Sequence, residues 1–370
     1  MLLKTRGISN QINEPIIARV TRNYLNQDSN QILIAENEIP INNLNSFKAI
    51  ITNLDIQKSR MNSPSVYSVG TFDHLVDGDI VVINSDGIIN TLYRINSVQN
   101  FLLTTERCNS NCLMCSQPPK DRNDIHYLFN IYKQLIPLIP KDCFEIGITG
   151  GEPTLLGDLF FELLQLIKVE LPETEVHCLT NGRTFAWQSL AQRLGEMNFN
   201  RLMLGIPLYS DFYQVHDYIV QAKNAFNQTM QGFYNLALYD QRIEIRVVLH
   251  KQSIPRLTRL AKFIYKNLPF VEHIAFMGLE YQGYTPHNID KLWIDPTEYM
   301  NELGEAANFL SARGLNVSIY NSQLCLMPQE LWRYNKKSIS DWKNIFLNEC
   351  SKCAMRESCG GLFESSEKKT

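Results

Sequence analysis

The chain has 370 residues, a formal charge of -3 and 20% charged residues, with an isoelectric point near 6.2. That length supports a full hydrophobic core and exceeds the common single-domain size, so one large domain with appendages is expected. The charge balance supplies no basic field of the kind that gathers nucleic acid, no run approaches the roughly 18 apolar residues of a membrane span, and the start, MLLKTRGISN, has a single apolar pair. The expectation is a cytoplasmic protein without nucleic-acid or membrane partners.

In chain order, residues 1–97 are β-rich. IIARVTR, FKAIITNL and GDIVVINSDGIINTLYRI read as strands, the last as a hairpin turning at Ser85, Asp86 and Gly87. This stretch predicts a separate small domain, one that either recognises a peptide by strand addition or covers an open sheet edge. From residue 98 to 295 strand and helix alternate. The strands are 101–105, 145–149, 175–180, 201–206, 242–249 and 273–277. Between them, Ile125, Leu128, Phe129, Tyr132, Leu135 and Ile136 follow helical spacing, as do Leu257, Leu260, Ala261 and Ile264. Asp158 stands where a cap would precede LFFELLQLIK. Repeated βα steps of this size predict an α/β fold, with a parallel sheet curled into a partial (β/α)6 barrel. Residues 296–370 predict a helix over 296–313, a strand LNVSIYN and an irregular cysteine-bearing tail whose last residues, SSEKKT, fray.

Nine cysteines divide into Cys108, Cys112 and Cys115, then Cys143 and Cys178 alone, then Cys325, Cys350, Cys353 and Cys359. An odd count in local clusters argues for metal or redox chemistry over a disulfide scaffold. The two isolated thiols read as small core residues. The first cluster, CNSNCLMC, follows a predicted parallel strand, where α/β architectures keep their active sites. Four thiolates as a rule hold an iron–sulfur cube, and four ligands close a structural zinc site. Three thiols leave one metal corner open to a substrate or cofactor. The four tail cysteines suffice for a closed site, either an iron–sulfur cluster or all-thiolate zinc.

Cys108, Cys112 and Cys115 resemble the CxxxCxxC motif of the radical S-adenosylmethionine (radical SAM) enzymes. GGEP at Gly150, Gly151, Glu152 and Pro153 looks like that family's segment for the SAM amino group, and TNG at Thr180, Asn181 and Gly182 like another element of the SAM pocket. The resemblance implies a [4Fe-4S] cluster on the three cysteines, with SAM at its open iron. It implies that Glu152 faces an ammonium, that Met114 packs on adenine where the family often has an aromatic residue, and that Ser210 and the segment Met277 to Glu280 contact ribose or adenine. CxxCxxxxxC in the tail resembles the core of SPASM and twitch extensions. That implies one auxiliary [4Fe-4S] cluster on Cys325, Cys350, Cys353 and Cys359.

His216 with Asp217, SISDWKN at 338–344 and CGG before Phe363 extend the likeness to radical SAM maturases of His-Xaa-Ser repeat peptide systems. This implies a ribosomally made precursor peptide as substrate, a second radical SAM protein as partner and an external electron donor. A small-molecule or nucleoside synthase and a non-catalytic electron-relay partner are the other readings. Taken alone, His216 reads as surface, and Lys251, Glu280, Tyr281 and Tyr284 are strand-end residues that either face substrate or have no role.

Overall fold

The computed structural model describes residues 3–25, 29–36, 46–55, 63–337 and 343–365. The chain divides into two compact units. One comprises residues 1–102, 125–146 and 162–174, and the other 103–124, 147–161 and 175–370.

The first unit is built on β1 (Lys4–Arg6), β2 (Ile8–Asn10), β3 (Ile16–Thr21), β4 (Gln31–Ala35), β5 (Ala49–Thr52), β6 (Ser65–Tyr67), β7 (Ile80–Ile83) and β8 (Ile88–Tyr93). They form one mixed sheet in the order β1-β8-β7-β3-β4-β5-β6-β2. Near-continuous runs of Ile and Val make β4, β5 and β7 buried throughout or nearly so, as strands covered on both faces require. A core of Ile32, Ile34, Ile51, Val66, Val81 and Ile83 follows from that composition. The expected hairpin is β7–β8, antiparallel, with Ile83 opposite Ile89. Its turn needs a left-handed residue, which Gly87 supplies at φ +80°.

Further along lie β9 (Gln99–Leu103), α1 (Ile125–Leu135), β10 (Glu145–Thr149), α2 (Asp158–Glu170), β11 (Glu175–Leu179), α3 (Gln188–Glu196) and β12 (Leu202–Pro207). They are followed by α4 (Tyr213–Val220), α5 (Ala225–Leu238), β13 (Arg242–Val248), α6 (Leu257–Asn267), β14 (His273–Met277), α7 (Ile289–Leu292), α8 (Met300–Ser311), β15 (Asn316–Tyr320) and β16 (Asn335–Lys336). The second sheet runs β16-β15-β14-β13-β12-β11-β10-β9, and from β11 to β16 each pairing is parallel. This is the expected α/β half-barrel, lengthened by two strands. LNVSIYN, read from sequence as lying beyond the barrel, is β15, and it joins the edge of β14 with Ile274 opposite Val317.

Strand alternation explains the sheet's two faces. Ile243, Ile245 and Val247 of β13 are buried with Leu257, Leu260, Ala261 and Ile264 of α6. The alternate residues Glu244 and Arg246 form an ion pair at 2.7 Å, and His273 on β14 adds a contact of 2.6 Å to the same carboxylate. Two local expectations are corrected. Asp158 is the first residue of α2, not its cap, and its carboxylate pairs with Arg193 at 2.5 Å. The helix expected over 296–313 is a short turn, Pro296–Glu298, followed by α8, because Asp295 accepts from the Thr297 amide and starts its own turn. Cys143 and Cys178 are buried, as expected of core thiols.

Candidate active site

All of the first cysteine group lies on the loop that leaves β9, and this loop is laced to the turn after β10. The Thr104 amide donates to Thr149 O at 2.8 Å, the Gly151 amide to Thr105 O at 2.7 Å and the Glu152 amide to Arg107 O at 2.8 Å. Glycine is what permits so close an approach: a Cβ on Gly150 would stand 2.6 Å from Thr105 O, and one on Gly151 would stand 2.0 Å from Arg107 O. Asp124 holds the strand exit from the other side, accepting from the Thr105 hydroxyl at 2.6 Å and the Glu106 amide at 2.7 Å.

Glu152 is fully buried, and its carboxylate joins two segments. Oε1 accepts from the Thr154 amide at 3.0 Å, the Thr154 hydroxyl at 2.7 Å and the Thr180 hydroxyl at 2.7 Å. Oε2 accepts from the Asn181 amide at 2.7 Å. The protein's own donors on this carboxylate fix TNG to GGEP. A buried carboxylate with a full set of donors is a rigid joint. Pro153, at the first position of the turn that Glu152 caps, leaves no amide to satisfy there.

Arg183, directly after TNG, closes the arrangement. Its guanidinium donates to Asn109 O and, at 3.0 Å, to the Ser110 hydroxyl, both between the first two cysteines. Its Nε donates to Gln228 on α5 at 2.8 Å. Asn181 Nδ2 reaches Asn109 Oδ1 at 2.5 Å. The sequence reading stopped at Gly182 and missed Arg183 and Asn109. Their only sequence signal is adjacency: one follows TNG, and the other lies inside CNSNCLMC.

Cys108, Cys112 and Cys115 are half-buried free thiols. Burial pushes Cys108 up to about 11, with Cys115 also raising it and the Arg183 charge opposing. Burial holds Cys112 further above the ordinary thiol range, with Cys115 and Cys108 adding to the effect. Cys115 is raised by burial as well. The three sulfurs thus sense one another's charge, and the Ser110 amide points at Cys108 Sγ across 3.4 Å. This donor set fits a polynuclear metal group, whose positive charge would stabilise all three thiolates. Among the described residues, no three His, Cys, Asp or Glu side chains are arranged to hold a single metal ion.

Met114 is buried in an apolar cluster with Leu113, Tyr209, Ile219 and Leu292, with Cys112 packed against it. Ser210 is fully buried, and its hydroxyl accepts from the Phe212 amide at 3.1 Å, just before α4. His216 corrects its surface reading. It is buried, its Nδ1 accepts from the Tyr209 amide at 3.3 Å, and its ring stacks on Tyr209. Burial brings it down to about 4, with Asp217 opposing and Arg183 adding to the drop. Asp217 caps α5, accepting from the Asn224 and Phe226 amides at 2.6 and 2.7 Å. Glu280 pairs with Lys343 at 3.0 Å, while Lys251 is exposed. The Tyr284 amide donates to Cys115 O at 2.9 Å.

The four tail thiols line one cavity of about 810 Å³, together with Gly278, Leu279, Tyr281 and Leu249 from the strand ends. Burial raises Cys325, and Cys359, Cys350 and Cys353 each act on it electrostatically. Amides of Leu324 and Gly361 point at Cys359 Sγ across 3.5 and 3.4 Å. Residues distant in sequence are thus brought together. Of SISDWKN, residues 338–342 lie outside the described residues, while β17 (Asn344–Ile345) pairs with β18 (Leu362–Phe363) next to CGG.

Residues 102–264 match the family model of the radical SAM superfamily. Two curated relatives cover the same share of the chain. The uncharacterized protein MJ0907 of Methanocaldococcus jannaschii is 24% identical over 176 residues, 44% of this chain and 57% of its own. A probable GTP 3',8-cyclase of Sulfurisphaera tokodaii is 27% identical over 177 residues, 45% of this chain and 52% of its own. The chain thus spans about half the length of the curated relatives it matches. Among solved structures, SuiB of Streptococcus suis bound to S-adenosylmethionine is similar at 15% identity and a TM-score of 0.48, covering 66% of this chain and 54% of that one.

Proposed function

We propose that the chain is a radical SAM enzyme that oxidatively modifies a ribosomally made peptide. The observation that carries the radical SAM assignment is the joint at Glu152, where the cysteine loop, GGEP and TNG meet at the ends of three successive parallel strands. Strand ends of this kind are where α/β sheets assemble active sites. Cys108, Cys112 and Cys115 would hold a [4Fe-4S] cluster, which would supply an electron for the reductive cleavage of bound SAM. The chain's own part is to hold the thiolates, orient the cofactor and exclude water. Arg183 fixes Asn109 and Ser110, the lacing of Gly151 and Glu152 fixes Arg107, and Leu113, Met114, Tyr209 and Leu292 form an apolar backing.

In this reading Gly150, Gly151, Glu152, Pro153, Thr180, Asn181, Met114 and Ser210 shape the SAM pocket. Residues 1–97 form the amino-terminal domain, 98–295 the radical SAM barrel and 296–370 a domain holding an auxiliary [4Fe-4S] cluster on Cys325, Cys350, Cys353 and Cys359. The likeness to His-Xaa-Ser repeat maturases assigns the peptide class, a second radical SAM protein as partner and an external electron donor, and the charge and hydropathy of the sequence suggest a cytoplasmic site of action. Among the described residues no helix is long and apolar enough to cross a membrane.

The test is anaerobic. Wild-type protein with SAM and a reductant forms 5′-deoxyadenosine, whereas a Cys108→Ala, Cys112→Ala, Cys115→Ala variant does not and loses one cluster's iron and sulfide. A Cys350→Ala, Cys353→Ala variant loses a second. Loss of zinc in place of iron from the latter would overturn the auxiliary-cluster assignment. A nucleotide substrate is the second reading, favoured by the match to a probable GTP 3',8-cyclase. GTP-dependent consumption of SAM would establish it.

A further inference from the structure

In Arg242 the guanidinium edge formed by Nε and Nη2 clasps the Glu272 carboxylate at 2.9 and 2.8 Å, and in Arg256 the same edge clasps Asp211 at 2.7 and 2.8 Å. In Arg246 that edge holds nothing. Nη1 of Arg246 donates to Glu244 Oε1 at 2.7 Å, while Nε and Nη2 have no partner among the described residues and stay open to solvent. The side chain is 13% exposed, so its free edge is accessible without lying on the outer surface.

Arg246 is held in place by a network that spans the sheet. It projects from β13 on the face opposite α6, beside Glu244, which is buried. The Glu244 carboxylate meets His273 Nδ1 of β14 at 2.6 Å and His177 Nε2 of β11 at 3.3 Å, and His273 Nε2 reaches Ser318 Oγ of β15 at 2.9 Å. Burial pushes the Glu244 carboxyl up, but the imidazoles of His177 and His273 and the Arg246 charge outweigh it and hold it well below the ordinary carboxylate range. A carboxylate that keeps its charge there orients the guanidinium. On β12, Gly205 leaves the space: a Cβ would stand 2.9 Å from His177 Nε2 and 3.0 Å from Arg246 Cδ. Arg246 also neighbours the first cysteine group. Its charge acts on Tyr209, as do those of Cys112 and Cys115, and Tyr209 packs with Leu113 and Met114.

Two parallel N–H donors on a planar guanidinium match the two oxygens of a carboxylate, and partial burial strengthens such a charge-assisted pair. We infer that the free edge of Arg246 grips a carboxylate of the peptide substrate, an acidic side chain or the carboxy-terminus, and anchors the segment on the side of Tyr209 and the first cysteine group. The inference rests on the peptide-modifying reading above and adds the group that recognises the substrate. Arg246 is a specificity-determining binding residue, and Glu244 positions it.

The test is calorimetric, anaerobic and free of reductant, on the cluster-loaded full-length protein. One pair of probes is N-acetyl-aspartate N-methylamide and its asparagine counterpart. The other is N-acetyl-alanine and its N-methylamide. Wild type is expected to bind the carboxylate of one pair about tenfold more tightly than its neutral partner, the size of one charge-assisted hydrogen bond. The pair that shows the preference identifies the side chain or the carboxy-terminus as the source. Arg246→Gln, which can still donate to Glu244, is expected to erase the preference, and Arg246→Lys, which keeps the charge without the planar edge, to retain part of it. Circular dichroism checks folding, and the lysine variant answers the question if the glutamine variant does not fold. No preference in wild type, an undiminished preference in either variant, or displacement of the probe by saturating SAM or GTP would each overturn the inference. A wild type that forms 5′-deoxyadenosine without preferring a carboxylate would remove this inference and leave the catalytic reading standing. A protein that binds the carboxylate through Arg246 yet never forms 5′-deoxyadenosine would sink the catalytic reading alone.

Discussion

The Thr180 hydroxyl donates to Glu152 Oε1 across 2.7 Å in a fully buried setting, so the end of β11 and the turn after β10 share one carboxylate. Loss of that carboxylate leaves donors on Thr154, Thr180 and Asn181 unpaired. Glu152→Ala is expected to cost about 3 kcal/mol or more, because several buried donors lose their acceptor together. Glu152→Gln, which keeps the shape but turns a donor toward donors, is expected to cost less, about 1–3 kcal/mol. Urea denaturation of both variants checks the order. Equal midpoints for wild type and Glu152→Ala would show that the joint carries no stability.

Gly151 is a second point of contact between the same loops. A methyl group there meets Arg107 O at 2.0 Å, so Gly151→Ala must separate the cysteine loop from GGEP or distort one of them. The expected cost is about 1–3 kcal/mol, as for other overpacked sites, together with loss of cluster loading at the first site. Iron and sulfide content, measured beside the denaturation midpoint, reads both effects.

Arg183 holds the ligand loop from behind, through Asn109 O and the Ser110 hydroxyl. Arg183→Met is expected to weaken iron binding at Cys108, Cys112 and Cys115 by about 10–100-fold, the range for groups that orient metal ligands. Arg183→Lys recovers only part of it, since an ammonium cannot span Asn109, Ser110 and Gln228 as the planar guanidinium does. Competition with an iron chelator measures the difference. Equal retention by wild type and Arg183→Met would contradict this role.

Two buried histidines make stability depend on pH in a window above the carboxylates. Burial lowers His216 from 6.5 to about 4, against Asp217 and with Arg183, and lowers His250 from 6.5 to about 3. Both accept backbone hydrogen bonds at Nδ1, from Tyr209 and Gln252, which requires that nitrogen to be unprotonated. Because the folded values are depressed, the unfolded chain binds protons first. The stability is complete above about pH 6.5 and is lost as pH falls toward 4 and 3. By pH 5 each group is expected to remove about 2 kcal/mol, at 1.36 kcal/mol per unit. Urea midpoints from pH 7.5 to 5 test this, and a flat profile would refute it. In His216→Phe the slope should shrink.

The parts that could be read along the chain are those whose signals are local. CNSNCLMC, GGEP and TNG are each contiguous and follow an apolar strand, GGEP and TNG directly and CNSNCLMC within five residues, so a period of two followed by small and polar residues marks them. The Ser85–Asp86–Gly87 hairpin and the helix with Leu257, Leu260, Ala261 and Ile264 were legible for the same reason. His216 was not. It stands between Val215 and Asp217 in the short mixed stretch YQVHDYIV, while the aromatic groups that pack on it, Tyr209 and Phe226, arrive from elsewhere. β15 read as a strand, but its place beside β14 depends on backbone pairing that residue types do not encode.

The sequence alone determined the α/β alternation, the strand ends where CNSNCLMC, GGEP and TNG stand and the grouping of the cysteines, because spacing along a regular backbone dictates which residues emerge together. Only the tertiary structure decided what Glu152 touches, that Arg183 clasps the cysteine loop, and that Cys325 meets Cys350, Cys353 and Cys359 around a cavity. Hydrogen bonds and cavities between segments far apart in the chain form when loops close against one another, and no local periodicity carries that information.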